Sequence, residues 1–494
     1  MVLSTSYPVG PLSLLICSTP VHGHVTPLLV VARALVAAGH EVRFLTGIRY
    51  RDAVESTGAR WVPLPAEADF DDSDVDASFP GRVGLRGVAG ARWDLRHIFL
   101  DPAAAQLRTV DALLAEQPVD AVLTESMFFG AMLLLARPAG SRPVVVNLGI
   151  VPLGLRSRDT APFALGIPPL PGPIGRIRNG FLNWSTERFV FADLHRAAAR
   201  LARTVGGELS TFVMNYPASA DAIVQFSVAE FEYPRSDLRV PVHYVGPVSL
   251  AGASTVPVPE WWGDLDGTRR VVHVTQGTVA NADLEDLVLP TMRALADSDV
   301  LVVASTGGRD MPAGSLPPNA RVAPYLPYDR LFPRIDALVT NGGYGGVHYA
   351  LAHGVPILAT GQTEDKAEVA ARVAWSGAGL RLRPRRGRLD EDDIRATVDR
   401  LLAEAPFREN ARRIGSAIVA GPGPAGVEEV ILELIGRSAG SSADSVAAPA
   451  RAAGAVAAEP ASSVMTTTAA GRPENPVAAS TATGRPETLL RRTP

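Results

Sequence analysis

The sequence predicts an α/β protein of two domains facing one another, and three observations carry that prediction. Short β-branched runs alternate with amphipathic helical patterns from the N-terminus to about Gly436. The alternation comes in two series, parted by a stretch, Gly246 to Trp262, that carries Pro247, Pro257 and Pro259. The 494 residues suffice for about two or three cores of ordinary domain size. The expected bounds are 1–245 for the first domain, 246–262 for the linker and 263–436 for the second. In open α/β sheets ligands bind beyond the carboxyl ends of the strands, so the crevice between the domains is the expected site.

In the first series, Leu12 to Cys17, Glu41 to Leu45, Val119 to Thr124 and Pro143 to Asn147 read as buried parallel strands. The helix after the first of them is expected to hold Pro27 in its first turn. Leu28, Ala32 and Leu35 then share one face, and Gly39 stops it. From Gly149 to Asn183 the chain is rich in Pro, Gly and Leu, which suits loop and short helix of the kind that shapes a variable pocket. The second series places strands at Arg270 to Thr275, Val300 to Ala304, Ala337 to Thr340 and Pro356 to Thr360. The helical pattern Val427 to Ile435 either closes the second domain or crosses back to the first. Residues 437–494 have no aromatic residue and repeat Gly-Arg-Pro-Glu at 471–474 and 484–487. Such a segment buries too little apolar surface to offset its ordering entropy, so a disordered tail is expected.

Composition excludes several function classes. With 47 basic against 51 acidic side chains, the formal charge of −4 leaves no footprint for a polyanion, which argues against nucleic acid as a partner. A single cysteine, Cys17, rules out an intrachain disulfide framework and a four-cysteine zinc site. No stretch reaches the ~18 uninterrupted apolar residues of a membrane span. No basic residue precedes Arg33, so a secretory n-region is absent and a cytoplasmic protein is expected.

Two loops carry the chemistry. Ser18 to Pro27 leaves a strand and enters a helix, with Gly23 between His22 and His24. Gly23 allows close backbone approach, and a neutral imidazole there can take a proton from a hydroxyl near neutral pH. The other reading is that both histidines only satisfy hydrogen bonds at the helix start. Metal binding is disfavoured, because no further ligand cluster lies near the pair. Glu125 follows the strand Val119 to Thr124 at the same sheet edge, where a carboxylate can orient an imidazole, or it is a partly exposed loop residue. The acidic run Asp69 to Asp76 reads as a solvated loop.

In the second series, Thr340 to His348 follows a strand and opens a helix with Gly342, Gly343, Gly345 and Gly346. Backbone N–H groups there can approach an anion, a diphosphate above all, and the helix start adds its positive end. The spacing is neither the dinucleotide fingerprint nor a P-loop. Gln276-Gly277-Thr278 follows the first strand of that series and can add an N–H and a hydroxyl to the same phosphates. Tyr325 and Tyr328 form an aromatic turn that stacks a nucleobase or merely packs a loop. Asp365 can accept hydrogen bonds from a polyol, and Lys366, the only lysine of the chain, supplies a compact, mobile ammonium.

Together these residues resemble the family-one glycosyltransferases, in the bacterial branch that glycosylates macrolides and other natural products. The resemblance rests on His22-Gly23-His24 with Pro27, the Gly39-His40 helix end, Gln276-Gly277-Thr278, Tyr325-Leu326-Pro327, Asn341 to Gly346 and Glu364-Asp365-Lys366. It runs from about Leu12 to Ile435. It implies a GT-B fold, two Rossmann-like domains across a cleft, and inverting, metal-independent transfer with no cofactor beyond the nucleotide-sugar donor. By that resemblance His22 matches the general base and Glu125 stands where an Asp usually orients it. Tyr325 stands where a Trp stacks on uracil or thymine, and the Leu326 backbone reads the base edge. Gly343, Gly345, Gly346 and Thr278 match the diphosphate site, and Asp365 the acid on sugar hydroxyls. Lys366 stands where Gln is commoner, Asn341 where a diphosphate-contacting His is usual, and Tyr349 where plant relatives bind ribose through Glu.

The expected substrates are a UDP- or dTDP-sugar and a hydrophobic small-molecule acceptor walled by Gly149 to Phe191 and Phe79 to Trp93. Arg176 and Arg178 near Phe181 and Trp184 make peripheral membrane contact a variant of that reading. A sugar-nucleotide epimerase and a catalytically silent partner of another transferase are the competing readings. Acceptor, sugar and oligomeric state are not legible in the sequence.

Overall fold

The computed structural model describes residues 10–250, 254–277, 283–312, 314–362, 365–385 and 387–446. Met1–Ser442 form one compact unit. It is built on two all-parallel sheets, as the alternation predicts.

The first sheet contains β1 (Ser13–Cys17), β2 (Glu41–Thr46), β3 (Arg60–Pro63), β4 (Ala121–Glu125), β5 (Val144–Gly149), β6 (Ala222–Gln225) and β7 (Val242–Tyr244). Its order is β3-β2-β1-β4-β5-β6-β7. The second contains β8 (Arg270–Thr275), β9 (Val300–Ser305), β10 (Ala320–Ala323), β11 (Ala337–Thr340), β12 (Ile357–Ala359) and β13 (Gly379–Arg381), in the order β10-β9-β8-β11-β12-β13. Each sheet therefore winds outward on one side, then crosses and winds outward on the other. The crossing leaves a switch point between β1 and β4, and another between β8 and β11, where ligands of doubly wound sheets sit.

Both faces of each sheet are covered, which is why the strands read as continuous apolar runs. In the first, Leu15, Cys17 and Val122 enter one core, while Leu14, Ile16, Ala121 and Leu123 enter another. The second repeats the pattern with Val271, Leu301 and Leu338 against Val272, Val302 and Val339. Val427, Val430 and Ile431 pack with Leu28 and Phe44, so the last helix crosses back to the first sheet.

All eight expected strands are present. The five unforeseen ones, β3, β6, β7, β10 and β13, have three or four residues each, and four of them are sheet edges. Short, half-buried edge strands such as Val242–Tyr244 offer too little periodicity to be seen. The first helix, His22–Ala37, starts a turn earlier than expected, so Pro27 lies inside it rather than in the first turn. The Pro/Gly/Leu-rich stretch holds a 14-residue helix, Gly172–Ser185. Ile174, Ile177, Phe181 and Trp184, which share one side of that helix, are exposed to solvent. The last helix, Ala425–Val446, runs past Arg437, where the tail was expected to begin. The remainder of that tail, 447–494, lies outside the described residues, as does Thr278. No helix among the described residues is long and apolar enough to cross a membrane.

Candidate active site

At the first switch point, β4 ends on Glu125 and β1 runs through Thr19 into the helix His22–Ala37. The Glu125 side chain is fully buried, yet each oxygen is satisfied. Oε1 accepts the Thr19 N–H at 3.1 Å, and Oε2 accepts the Met127 N–H at 2.5 Å. The same Oε2 lies 3.2 Å from Nδ1 of His24. Burial pushes the carboxyl pKa up, but the His24 ring and the two backbone N–H groups pull harder. The net position is below the usual carboxylate range, so Glu125 stays ionised.

This geometry corrects the expected pairing. Glu125 holds His24, not His22. One helical residue apart is about 100° of rotation, so two residues turn the His22 ring about 200° away from that of His24. His22 is exposed, and its backbone N–H donates to Oδ2 of Asp72 at 2.6 Å. His24 keeps a 17% exposed side chain and stacks at 6.4 Å on the Phe99 ring.

The acidic run is not simply solvated either. Asp72 has a 5% exposed side chain, pairs with Arg49, and accepts the Tyr50 hydroxyl at 2.7 Å. It pins the loop bearing Phe70 to the helix start. From Phe70 the rings of Phe79, Trp93 and His97 follow one another at 4.9, 6.1 and 4.7 Å, three half-buried rings ending on an exposed one, on the expected acceptor side.

The second switch point holds backbone where the first holds charge. After β8, Gln276 spends its side chain on the chain itself, donating to the Asp283 carbonyl and accepting the Val288 N–H. After β11, the Asn341 amide donates to the Gln276 carbonyl and ties the two turns together. Gly342, at φ +91°, turns the chain so that Gly343 caps the helix Tyr344–Ala352. Gly345 and Gly346 fill its first turn, where N–H groups have no intrahelical acceptor. After β12, a Cβ on Gly361 would lie 1.8 Å from the Asn341 carbonyl oxygen, so only glycine allows this approach.

The remaining expected residues fall at the same sheet edge with some changes. Asp365 caps the helix Lys366–Trp375 and is half-buried. Lys366 is buried, at 9% exposure. Tyr325 is 51% exposed with its hydroxyl on the Gly307 carbonyl, and Leu326 beside it is buried. Tyr328 packs instead against His273, Phe332 and Tyr349. Tyr349 donates to the Ser249 carbonyl at 2.7 Å. Among the described residues, no group of three or more His, Cys, Asp or Glu side chains is placed to hold a metal ion.

A family model described as the erythromycin biosynthesis protein CIII-like C-terminal domain matches residues 289–434. Over 407 residues the chain is 46% identical to 4'-demethylrebeccamycin synthase of Lentzea aerocolonigenes, covering 81% of this chain and 94% of that one. The chain belongs to the UDP-glycosyltransferase family. It is also 33% identical to UDP-glycosyltransferase 2 of Phaeomoniella chlamydospora, over 84% of this chain and 93% of that one. Among solved structures, the calicheamicin glycosyltransferase CalG4 superposes with a TM-score of 0.66 at 25% identity, covering 87% of this chain and 99% of that one. The two sheets are thus those of a GT-B glycosyltransferase of the natural-product type, and the chain is an enzyme of sugar transfer.

Sequence reasoning paired Glu125 with His22, whereas the structure places His24 beside it. The signal that separates them is helical phase: with the helix starting at His22, only one ring can face β4. Nothing local marks Glu232, Tyr344 and Arg372, which join the two sheets through buried contacts.

Proposed function

We propose that this glycosyltransferase moves a sugar from a UDP- or dTDP-sugar to a hydroxyl of a hydrophobic small-molecule acceptor, with inversion and without a metal. The observation that carries the mechanism is the 3.2 Å contact between Glu125 and Nδ1 of His24. A carboxylate there fixes the tautomer with the proton on Nδ1, which leaves the Nε2 lone pair to accept a proton. His24, in place of the expected His22, is then the general base. It takes the acceptor hydroxyl proton as the oxygen attacks the anomeric carbon. The diphosphate leaves from the opposite face with the bonding electron pair, and Glu125 stabilises the imidazolium that forms.

The helix start at Gly343, Gly345 and Gly346 suits the departing diphosphate, whose growing charge meets free N–H groups and the positive helix end. Gly277, in the turn tied to Asn341 through Gln276, flanks the same place. The exposed Tyr325 ring suits stacking on the base, the Leu326 backbone its edge, and Asp365 the sugar hydroxyls. The half-buried aromatic rings beside Asp72 suit an apolar acceptor. The 46% relative makes the aglycone of 4'-demethylrebeccamycin the first acceptor to try.

The test is product formation from UDP-glucose and dTDP-glucose with that aglycone, alongside nucleotide-induced thermal stabilisation. A nucleotide at about 100 times its dissociation constant stabilises by about 2.7 kcal/mol. A His24→Ala variant that still shows this shift but forms no product is the expected result. Full activity in His24→Ala would remove the proposed base.

A further inference from the structure

We infer that Glu232, Arg372 and Glu368 are positioning residues that hold the acceptor-side loop after β5 against the two helices of the donor side, coupling acceptor engagement to transfer. The inference rests on the sugar-transfer reading above. It begins with a buried ion cluster that joins elements of the two halves. The Arg372 side chain is fully buried, with Nε 2.9 Å from Glu232 and Nη1 2.8 Å from Glu368, whose side chains are 1% and 5% exposed. The guanidinium also lies 4.1 Å from the centre of the Tyr233 ring.

The cluster grips the loop by its backbone at two places. At Leu153, the N–H donates to Glu232 Oε1 at 3.1 Å, and the carbonyl accepts from Arg372 Nη2 at 3.1 Å. At Gly166, the N–H donates to Glu368 Oε1 at 2.8 Å, and the carbonyl accepts from Arg381 Nη1 at 2.8 Å. Each of these two residues therefore has an anion on its N–H and a cation on its carbonyl, and such charge-assisted bonds are the stronger kind. Gly166 is required for that approach: its φ is +57°, and a Cβ there would lie 2.6 Å from the Ala367 carbonyl oxygen and 2.9 Å from the Arg381 guanidinium.

The same groups reach the donor side. Glu232 Oε1 accepts the hydroxyl of Tyr344 at 2.9 Å, and Tyr344 is the first residue of the glycine-led helix. Glu368 and Arg372 lie on the helix capped by Asp365, one and two turns beyond it. Glu368 and Arg372 thus share a helix with the residue proposed to hold the sugar, and Glu232 is bonded to the first residue of the helix proposed to meet the diphosphate. A buried ion cluster adds little net stability over apolar packing, because desolvation offsets the attraction. What it adds here is a fixed direction for the loop.

The experiment compares the parent with Glu368→Gln and Gly166→Ala. Glu368→Gln removes charge at constant shape. Gly166→Ala displaces the loop and leaves the ion cluster paired, so one variant remains informative if the other folds poorly. Measured quantities are nucleotide release from UDP-glucose and dTDP-glucose, with and without the aglycone, and the nucleotide-induced thermal shift. Both variants should keep the nucleotide shift, raise the acceptor KM about 10-fold, and lose a larger share of donor to water than the parent. A purely structural role would lower stability and leave the ratio of hydrolysis to transfer unchanged, which would overturn the inference. Acceptor KM values within about 2-fold of the parent would overturn it as well. A parent that binds neither nucleotide and forms no product would overturn the sugar-transfer reading and this inference together.

Discussion

The two switch points occupy the same place in the same strand order, yet they are furnished in opposite ways. Between β1 and β4 lies a buried carboxylate 3.2 Å from an imidazole nitrogen and bonded to two backbone N–H groups. Between β8 and β11 lie glycine turns, an Asn bonded to a backbone carbonyl, and a helix start. The first can move a proton; the second can meet an anion without moving one. Topology fixes where a ligand can sit, and under the proposed function the residues at the strand ends divide proton transfer from diphosphate binding.

If that division is right, substitutions at the first point should reduce turnover, and those at the second should weaken nucleotide binding. The largest effect is expected for His24→Ala, a loss of ~10²–10⁴-fold in transfer rate, the usual worth of a general base. His22→Ala should stay within a few-fold of the parent. The reverse ranking in side-by-side rate measurements would restore His22 and break the assignment. Glu125→Gln comes next, expected to cost about 10²-fold or more in kcat with little change in donor KM, because the imidazole loses its fixed tautomer. An unchanged kcat would make the 3.2 Å contact structural only.

At the second point, Tyr325→Ala should weaken nucleotide binding by about 1–3 kcal/mol, as for one lost base stack, with kcat kept at saturating donor. Calorimetric titration of the variant with UDP and dTDP checks this, and undiminished affinity would take the base off that ring. The smallest effect concerns stability. His348 is buried on the glycine-led helix, bonded to Ser227 at 2.9 Å, and burial lowers its pKa from 6.5 to about 4. The folded form keeps it neutral, while the unfolded chain takes up a proton below about pH 6.5. Its linked contribution is therefore present above that pH and is lost progressively down to about 4. Melting temperatures of the parent should fall more steeply than those of His348→Gln across that window. Parallel curves would mean that the residue does not titrate on unfolding.

The candidate site was legible where its chemistry is local. The glycines at 342–346 and the 276–277 turn announce a backbone approach by residue type alone, and they lie at the sheet edge as expected. Two histidines flanking Gly23 suggest a proton-transfer loop, but the difference between them is one of orientation. Pro27 pointed to a later helix start than the true one, His22, and a shift of one turn changes which ring faces Glu125.

The sequence by itself determined the two parallel sheets, the eight central strands and the loops at their carboxyl ends. Those features follow from apolar runs, turn residues and helix signals within a few residues of one another. Tertiary structure alone decided that Glu125 meets His24 across 101 residues, that Asp72 holds the helix start, and that the last helix returns to the first sheet. It alone placed Arg372 between Glu232 and Glu368 with the backbone of Leu153 and Gly166 in their grip. A buried charge needs partners to offset its lost hydration, and those partners come from wherever the fold brings the chain, with no spacing in the sequence to announce them.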